Sequence, residues 1–229
     1  MNFVASHEPP PEMVEDFFRG NLSTGLSVAV SAHLEMSGGY ASACQSVESK
    51  IGDDWEIGSD CKESLDAAAA VKKITSQPQA SVHDISEKRS RPTEMHMLER
   101  SIKLPKVLAK VASEGLVWKN LAGGISSALL KLDDKTQCEF LYIKPGAKVP
   151  LHRHQGNEFT LVLDGSFHDA GGEYHPADFL VRNGDHQHQP ASEEGCLCFS
   201  VLDSPLKFTS GLARLFNPLN KYRFRRATS

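Results

Sequence analysis

The segment from Gly146 to Gly165 places His152, His154 and Glu158 within seven residues, framed by glycines. Two residues apart on an extended strand, His152 and His154 point to the same face. Gln155-Gly156-Asn157 reads as a turn. Glu158 then opens a second strand, Phe159 to Leu163, expected to run back beside the first. Three side chains able to ligate a metal thus converge through local geometry, and a further histidine from a distant strand would complete a site.

That histidine has candidates downstream. Tyr174 to Val181 reads as a turn followed by a strand, and a second turn at Asn183-Gly184 leads to His186 and His188. The spacing Gly-x5-His-x-His-x3-Glu-x6-Gly, then Pro-x-Asp and a later histidine, resembles the paired motifs of the cupin family. The resemblance implies a small antiparallel β-barrel with a metal in its mouth. Its ligands would be His152, His154, Glu158 and one of the two later histidines. His188 is expected, because in similar family members the ligand sits two residues before a proline, here Pro190. His186 would then substitute for it or hydrogen-bond behind the ligands. Three histidines and one carboxylate suit one divalent metal, zinc first, with iron, manganese or nickel as alternatives.

Composition narrows the class. A chain of 229 residues holds one large domain or two small ones. It contains no run of about 18 apolar residues, and Met1 to Pro11 lacks the basic and apolar regions of a signal peptide, so a cytoplasmic protein is expected. Five cysteines are too few for a disulfide scaffold and read as reduced thiols. The net charge of −4 hides an asymmetry. Residues 1–62 carry ten acidic side chains against Arg19, Lys50 and Lys62, whereas the last ten residues carry Lys221, Arg223, Arg225 and Arg226. An acidic N-terminal module does not suit direct binding to nucleic acid and suits docking onto a basic protein.

The chain reads as an α+β multidomain protein. Residues 1–75 are expected to be helical. A first helix is punctuated by Pro10-Pro11 and Gly20. A second and longer one, capped by Ser23 or Thr24, carries Leu26, Val30, His33, Ser37, Tyr40, Cys44, Val47 and Ile51 as one buried seam. A third is expected from Glu63 to about Ile74. Residues 76–103 read as a polar linker, residues 104–217 as an all-β domain with closely spaced strands, and residues 218–229 as a basic tail. The expected strands include Ile125 to Leu132, Glu139 to Ile143, Phe179 to Val181 and Cys196 to Leu202.

The N-terminal module resembles the zinc-binding anti-sigma domain through His7 and the Ala32-His33-Leu34 step. In that family the helical histidine is followed by cysteine at its fourth and seventh following positions, which share a helix face. Here those positions are Ser37 and Tyr40, poor partners for zinc, so the helical zinc site is expected to be lost. Tyr40 is expected to fill the space of the ion, with its hydroxyl on a buried partner. The order helical module, linker, cupin, with the run Asp203 to Leu219, resembles the ChrR family of anti-sigma factors. That resemblance implies sequestration of an extracytoplasmic-function (ECF) sigma factor. It also implies release under singlet oxygen or organic hydroperoxide, with the metal-binding cupin as sensor. No nucleophile, base and orienter set is visible in the sequence, and a non-enzymatic role is expected. The alternative is a metal-dependent cupin enzyme, a dioxygenase or isomerase, with a helical docking or oligomerisation module. Cys196 and Cys198 share a strand face and read either as small buried residues or as an oxidant-sensitive pair.

Overall fold

The computed structural model describes residues 3, 5–54, 66–77, 94–97, 100–184, 187–209 and 211–229. His186 and Cys61 lie outside the described residues. Helices come first: α1 Pro11–Arg19, α2 Thr24–Ser37, α3 Tyr40–Asp54 and α4 Ala67–Thr75. The antiparallel pair β1 Glu94–Met97 and β2 Arg100–Lys103 leads to α5 Lys106–Ala112. The strands β3 Trp118–Asn120, β4 Ile125–Leu130, β5 Gln137–Ile143, β6 Ala147–Lys148 and β7 His152–His154 follow. Next are β8 Glu158–Gly165, β9 Phe167–Asp169, β10 Gly172–Tyr174 and β11 Phe179–Arg182. The series ends with β12 Gln187–His188, β13 Ala191–Ser192, β14 Cys196–Leu202 and β15 Leu206–Phe208, before the closing helix α6 Asn217–Ala227.

Local sequence explains the helix ends. Pro11 opens α1, and Gly20, in the left-handed conformation, closes it with its N–H on Phe17 O. Ser23 Oγ accepts from Leu26 N–H at the start of α2. The long second helix expected from the apolar seam is two helices. Gly38 adopts φ 73° as the C-cap of α2, and α3 starts at Tyr40. Ser37 and Tyr40 therefore lie on different helices. Tyr40 is exposed and stands edge-on to Phe18, so it does not fill a buried space. Cys44, expected in the core, is half-buried with its thiol near Glu48 Oε1.

The strands form sheets of six (β11-β8-β14-β5-β4-β3), four (β10-β9-β13-β6), three (β12-β7-β15) and two strands, and the closed barrel implied by the cupin resemblance is not found among the described residues. The central strands are buried on both sides, so they read as continuous apolar runs rather than strict alternations. Alternate residues still divide cleanly. Phe140 and Tyr142 on β5, Phe159 and Leu161 on β8, and Phe199 and Val201 on β14 join one core with Val28, Ala29 and Ala32 of α2. Leu141, Ile143, Thr160, Cys198 and Ser200 face a cavity on the opposite side.

The helical module is consequently not a free unit on a polar tether. Helix α2 packs on β8, β14 and α5, and Glu35 of α2 accepts the Lys106 N–H that opens α5. Residues 94–97 and 100–103, read as linker, form the antiparallel β1–β2 pair. Residues 218–229, read as a basic tail, belong largely to α6, whose Arg223 donates to Ser127 Oγ (2.8 Å) and Glu139 Oε2 (3.0 Å) inside the six-stranded sheet.

Helix α2 comes close to the sheet at Gly25. A Cβ built there would meet Cys138 Sγ at 2.4 Å and Thr136 Oγ1 at 2.7 Å. Helix propensity alone would make Gly25→Ala stabilising by about 1 kcal/mol. Overpacking of the shared core is expected to reverse that sign, for a net loss on the order of 1–2 kcal/mol, read as a lower urea midpoint of the full chain.

Candidate metal centre

The four residues singled out by spacing are brought together by two sheets meeting at a corner. Strand β7 does not pair with β8, as the sequence led one to expect. It joins β12 and β15, which puts His188 directly opposite His152. The turn 155–157 then carries the chain across to β8, whose first residue is Glu158. Asp203 holds that turn by accepting from Asn157 N–H (2.8 Å) and Asn157 Nδ2 (2.9 Å). Three imidazoles and one carboxylate converge, with one donor atom from each of His152, His154, Glu158 and His188 lying within 4.8 Å of the others. All four side chains are buried or nearly so.

Hydrogen bonds orient the rings. His152 Nδ1–H donates to Pro150 O (2.8 Å), and His188 Nδ1–H donates to Asp169 Oδ2 (3.1 Å). Both leave Nε2 free to point inward, as ligating histidines do when a carbonyl or carboxylate fixes the far nitrogen. His154 Nε2 lies 3.0 Å from His188 Nε2 and 2.9 Å from Glu158 Oε2. Opposed lone pairs at that distance need a shared proton or a cation. A divalent ion would satisfy all four donors at once, so the set fits a metal.

The electrostatics reflect the crowding. Burial pushes the His152 imidazole down to about 4, helped by the facing His188. Burial also acts against charge on His154, but the Glu158 carboxylate outweighs it and raises the imidazole above its ordinary value. Burial pushes Glu158 up, yet the charges and hydrogen bond of His154, with His152 and His188 behind it, hold the carboxyl below the usual carboxylate range.

Behind His188 the contacts continue outward. Asp169 also accepts from Tyr174 OH (3.2 Å) and faces Arg182, which in turn donates to the Tyr174 hydroxyl. The Tyr174 ring meets the His7 ring edge-on at 5.1 Å. Beyond it, Asp178 accepts from the N–H groups of Ser6 (2.6 Å) and His7 (3.0 Å), and His7 O accepts from Phe179 N–H. His33 Nδ1–H donates to Ala177 O (2.8 Å), and burial keeps this imidazole below its ordinary value and neutral. His7 and His33, the two histidines of the anti-sigma pattern, thus grip the 174–179 segment of the sheet domain. Asp169, Tyr174 and Arg182 carry no spacing signal in the sequence. Asp178 belongs to the Pro-x-Asp step.

His168, on β9, and His175 are exposed. Cys196 and Cys198 are buried with Sγ atoms 3.5 Å apart. The neighbouring Cys196 thiol and burial both raise Cys198, which keeps it a protonated thiol. Among the described residues no helix is long and apolar enough to cross a membrane.

Short antiparallel strands bearing three histidines and a glutamate at a sheet corner give this region a cupin-like fold. Residues 108–204 match the ChrR cupin-like domain family. The chain is similar to the anti-sigma-E factor ChrR of Cereibacter sphaeroides, with 27% identity over 217 residues that cover 93% of this chain and 96% of that protein. It is also similar to the crystal structure of Rhodobacter sphaeroides SigE in complex with the anti-sigma ChrR. That match has a TM-score of 0.64 at 22% identity and covers 87% of this chain and 99% of the other, a likeness of fold that takes in the helices.

The low value of His152 has a signed consequence. An imidazole depressed from 6.5 to about 4 contributes stability above pH 6.5 that is lost as pH falls toward 4. In chelated protein, the unfolding free energy is expected to fall by on the order of 3 kcal/mol across that window. His152→Gln should remove most of that slope, as read by urea unfolding at a series of pH values.

Proposed function

We propose that this protein is an anti-sigma factor, whose helical module sequesters an ECF sigma factor and whose cupin senses the signal that releases it. The observation that carries the reading is the likeness to anti-sigma-E factor ChrR along 93% of the chain, helices and cupin together. The same donor set also serves dioxygenases and isomerases, but a likeness confined to enzyme chemistry would not extend through the helices. The acidic balance of residues 1–62 supports docking of a basic partner on the outer faces of α1 and α3, where Glu12, Asp16 and Glu48 lie. A cytoplasmic location suits that role.

In this reading His152, His154, Glu158 and His188 hold one divalent metal, zinc first, which polarises whatever oxygen donor reaches it. The signal is oxidative, singlet oxygen or an organic hydroperoxide. The path from His188 through Asp169 and Tyr174 to His7 couples the site to the helices, because a shift of His188 moves the carboxylate that positions Tyr174 against the N-terminal segment. The helical module itself works without zinc: Ser37 and Tyr40 stand where the zinc-binding pattern carries cysteine, and they lie on different helices.

Elemental analysis of the purified full chain is expected to give about one metal per chain, and His152→Ala with His154→Ala to abolish it. Two tightly held metals would mean that a second site operates. Co-expression with the ECF sigma factors of the host, followed by size-exclusion chromatography, should yield a one-to-one complex weakened by Glu12→Lys with Glu48→Lys. In a sigma-dependent reporter strain, Glu158→Ala should still repress but no longer induce under either oxidant. Normal induction by both would remove the sensor role from the cupin.

A further inference from the structure

The described residues line a cavity of about 450 Å³ that opens directly onto the metal-ligand cluster. His152, Glu158 and His188 form one end. The rest of the wall is mainly apolar, with Leu141, Ile143, Phe167, Leu206 and Phe208 among its side chains. The volume falls in the range of small-molecule sites, about 300–1,000 Å³. Its wall presents far more apolar than polar surface, the character of a site that takes a hydrocarbon group.

We propose that the cavity binds a small molecule with a hydrocarbon body and a single anionic oxygen headgroup, a medium-chain carboxylate being the simplest member of the class. The headgroup follows from charge. A divalent ion held by three neutral imidazoles and Glu158 leaves one positive charge, and a monoanion cancels it. The other buried carboxylate on the wall, Glu139, is already matched by Arg223 at 3.0 Å, so that pair adds no net charge to the cavity. The body follows from the wall, where the inward residues of β5 and β14 are mostly apolar and Ser200 is engaged with Glu158 (3.1 Å). The far side is lined by the C-terminal segment. Phe216 and Leu219 line the cavity, and the segment is held in place by Asn217 Oδ1 on Phe208 N–H (2.8 Å), by Arg223, and by Lys131 Nζ on Ala227 O (3.3 Å). A ligand seated there touches both the metal site and α6. The headgroup half of this inference rests on the metal reading of the four ligands.

The test is titration calorimetry of sodium decanoate and of sodium acetate into the zinc-reconstituted full chain, with zinc content measured on the same samples. Decanoate should bind at one per chain and at least 100-fold more tightly than acetate. It should bind at least tenfold more weakly after chelation. Leu141→Trp, which fills the cavity from β5, should lose decanoate binding while keeping its zinc. Should that variant fail to fold, Ile143→Phe fills the same wall by less. A zinc-loaded chain that takes decanoate and acetate equally, or not at all, overturns the cavity proposal and leaves the metal site standing. A chain that cannot be loaded with zinc overturns both. Decanoate binding unchanged in the filled, folded variant places the ligand elsewhere and also overturns the proposal.

Discussion

Burial of the β5–β14–β8 sheet on both of its faces is the constraint from which the remaining architecture follows. Alternate side chains of these strands join the core that α2 shares, and intervening ones face the cavity and the histidine cluster. Neither face can be left to water, since each carries several large apolar groups. The helical module therefore completes the cupin as much as it accompanies it. A disturbance on the cavity face sits one strand thickness from the helix that packs on the other side.

The metal-ligand cluster depends on the same sheet in a different way. Glu158 is the first residue of a central strand, whereas His152, His154 and His188 come from a small sheet folded across it. The corner, held by Asp203 on the 155–157 turn, sets the distance between the two. Each of the two outer imidazole nitrogens with a partner finds a fixed one, Pro150 O or Asp169, so ring orientation is decided by the fold before any ion arrives. Asp169 is also where the cluster meets Tyr174 and, through it, the N-terminal segment. The histidines at 7 and 33 that resemble zinc ligands are used here as contacts between helix and sheet.

Much of this was legible in the sequence, and the gaps have physical causes. His152, His154 and Glu158 could be picked out because strand and turn geometry bring them together within seven residues, whereas the choice of His188 came from the cupin resemblance. The limits of β14 matched the apolar run Cys196 to Leu202. The break between α2 and α3 was written in Gly38-Gly39, but the apolar seam on either side has a helical period and hides it. Pairing of β7 with β12 and β15 rather than β8 could not be read, because a short turn between strands is compatible with a corner as well as a hairpin. Periodicity also reports that a helix face is buried without saying against what, which is why the union of α2 with the cupin, and the role of α6 as a wall, were invisible. The residues linking His188 to His7 are separated by over 160 positions, and no local pattern marks them.

The central claim is that the state of the metal-ligand cluster is felt by the helical module. Amide hydrogen exchange of α2, Thr24–Ser37, in the full chain measures this directly. Protection should fall by at least tenfold when the metal is chelated, and Tyr174→Phe, which removes the hydroxyl bonded to Asp169 and leaves the ring, should make α2 much less responsive to chelation. Identical exchange in α2 with and without bound metal would contradict the coupling and leave the cupin and the helices as neighbours that merely share a core.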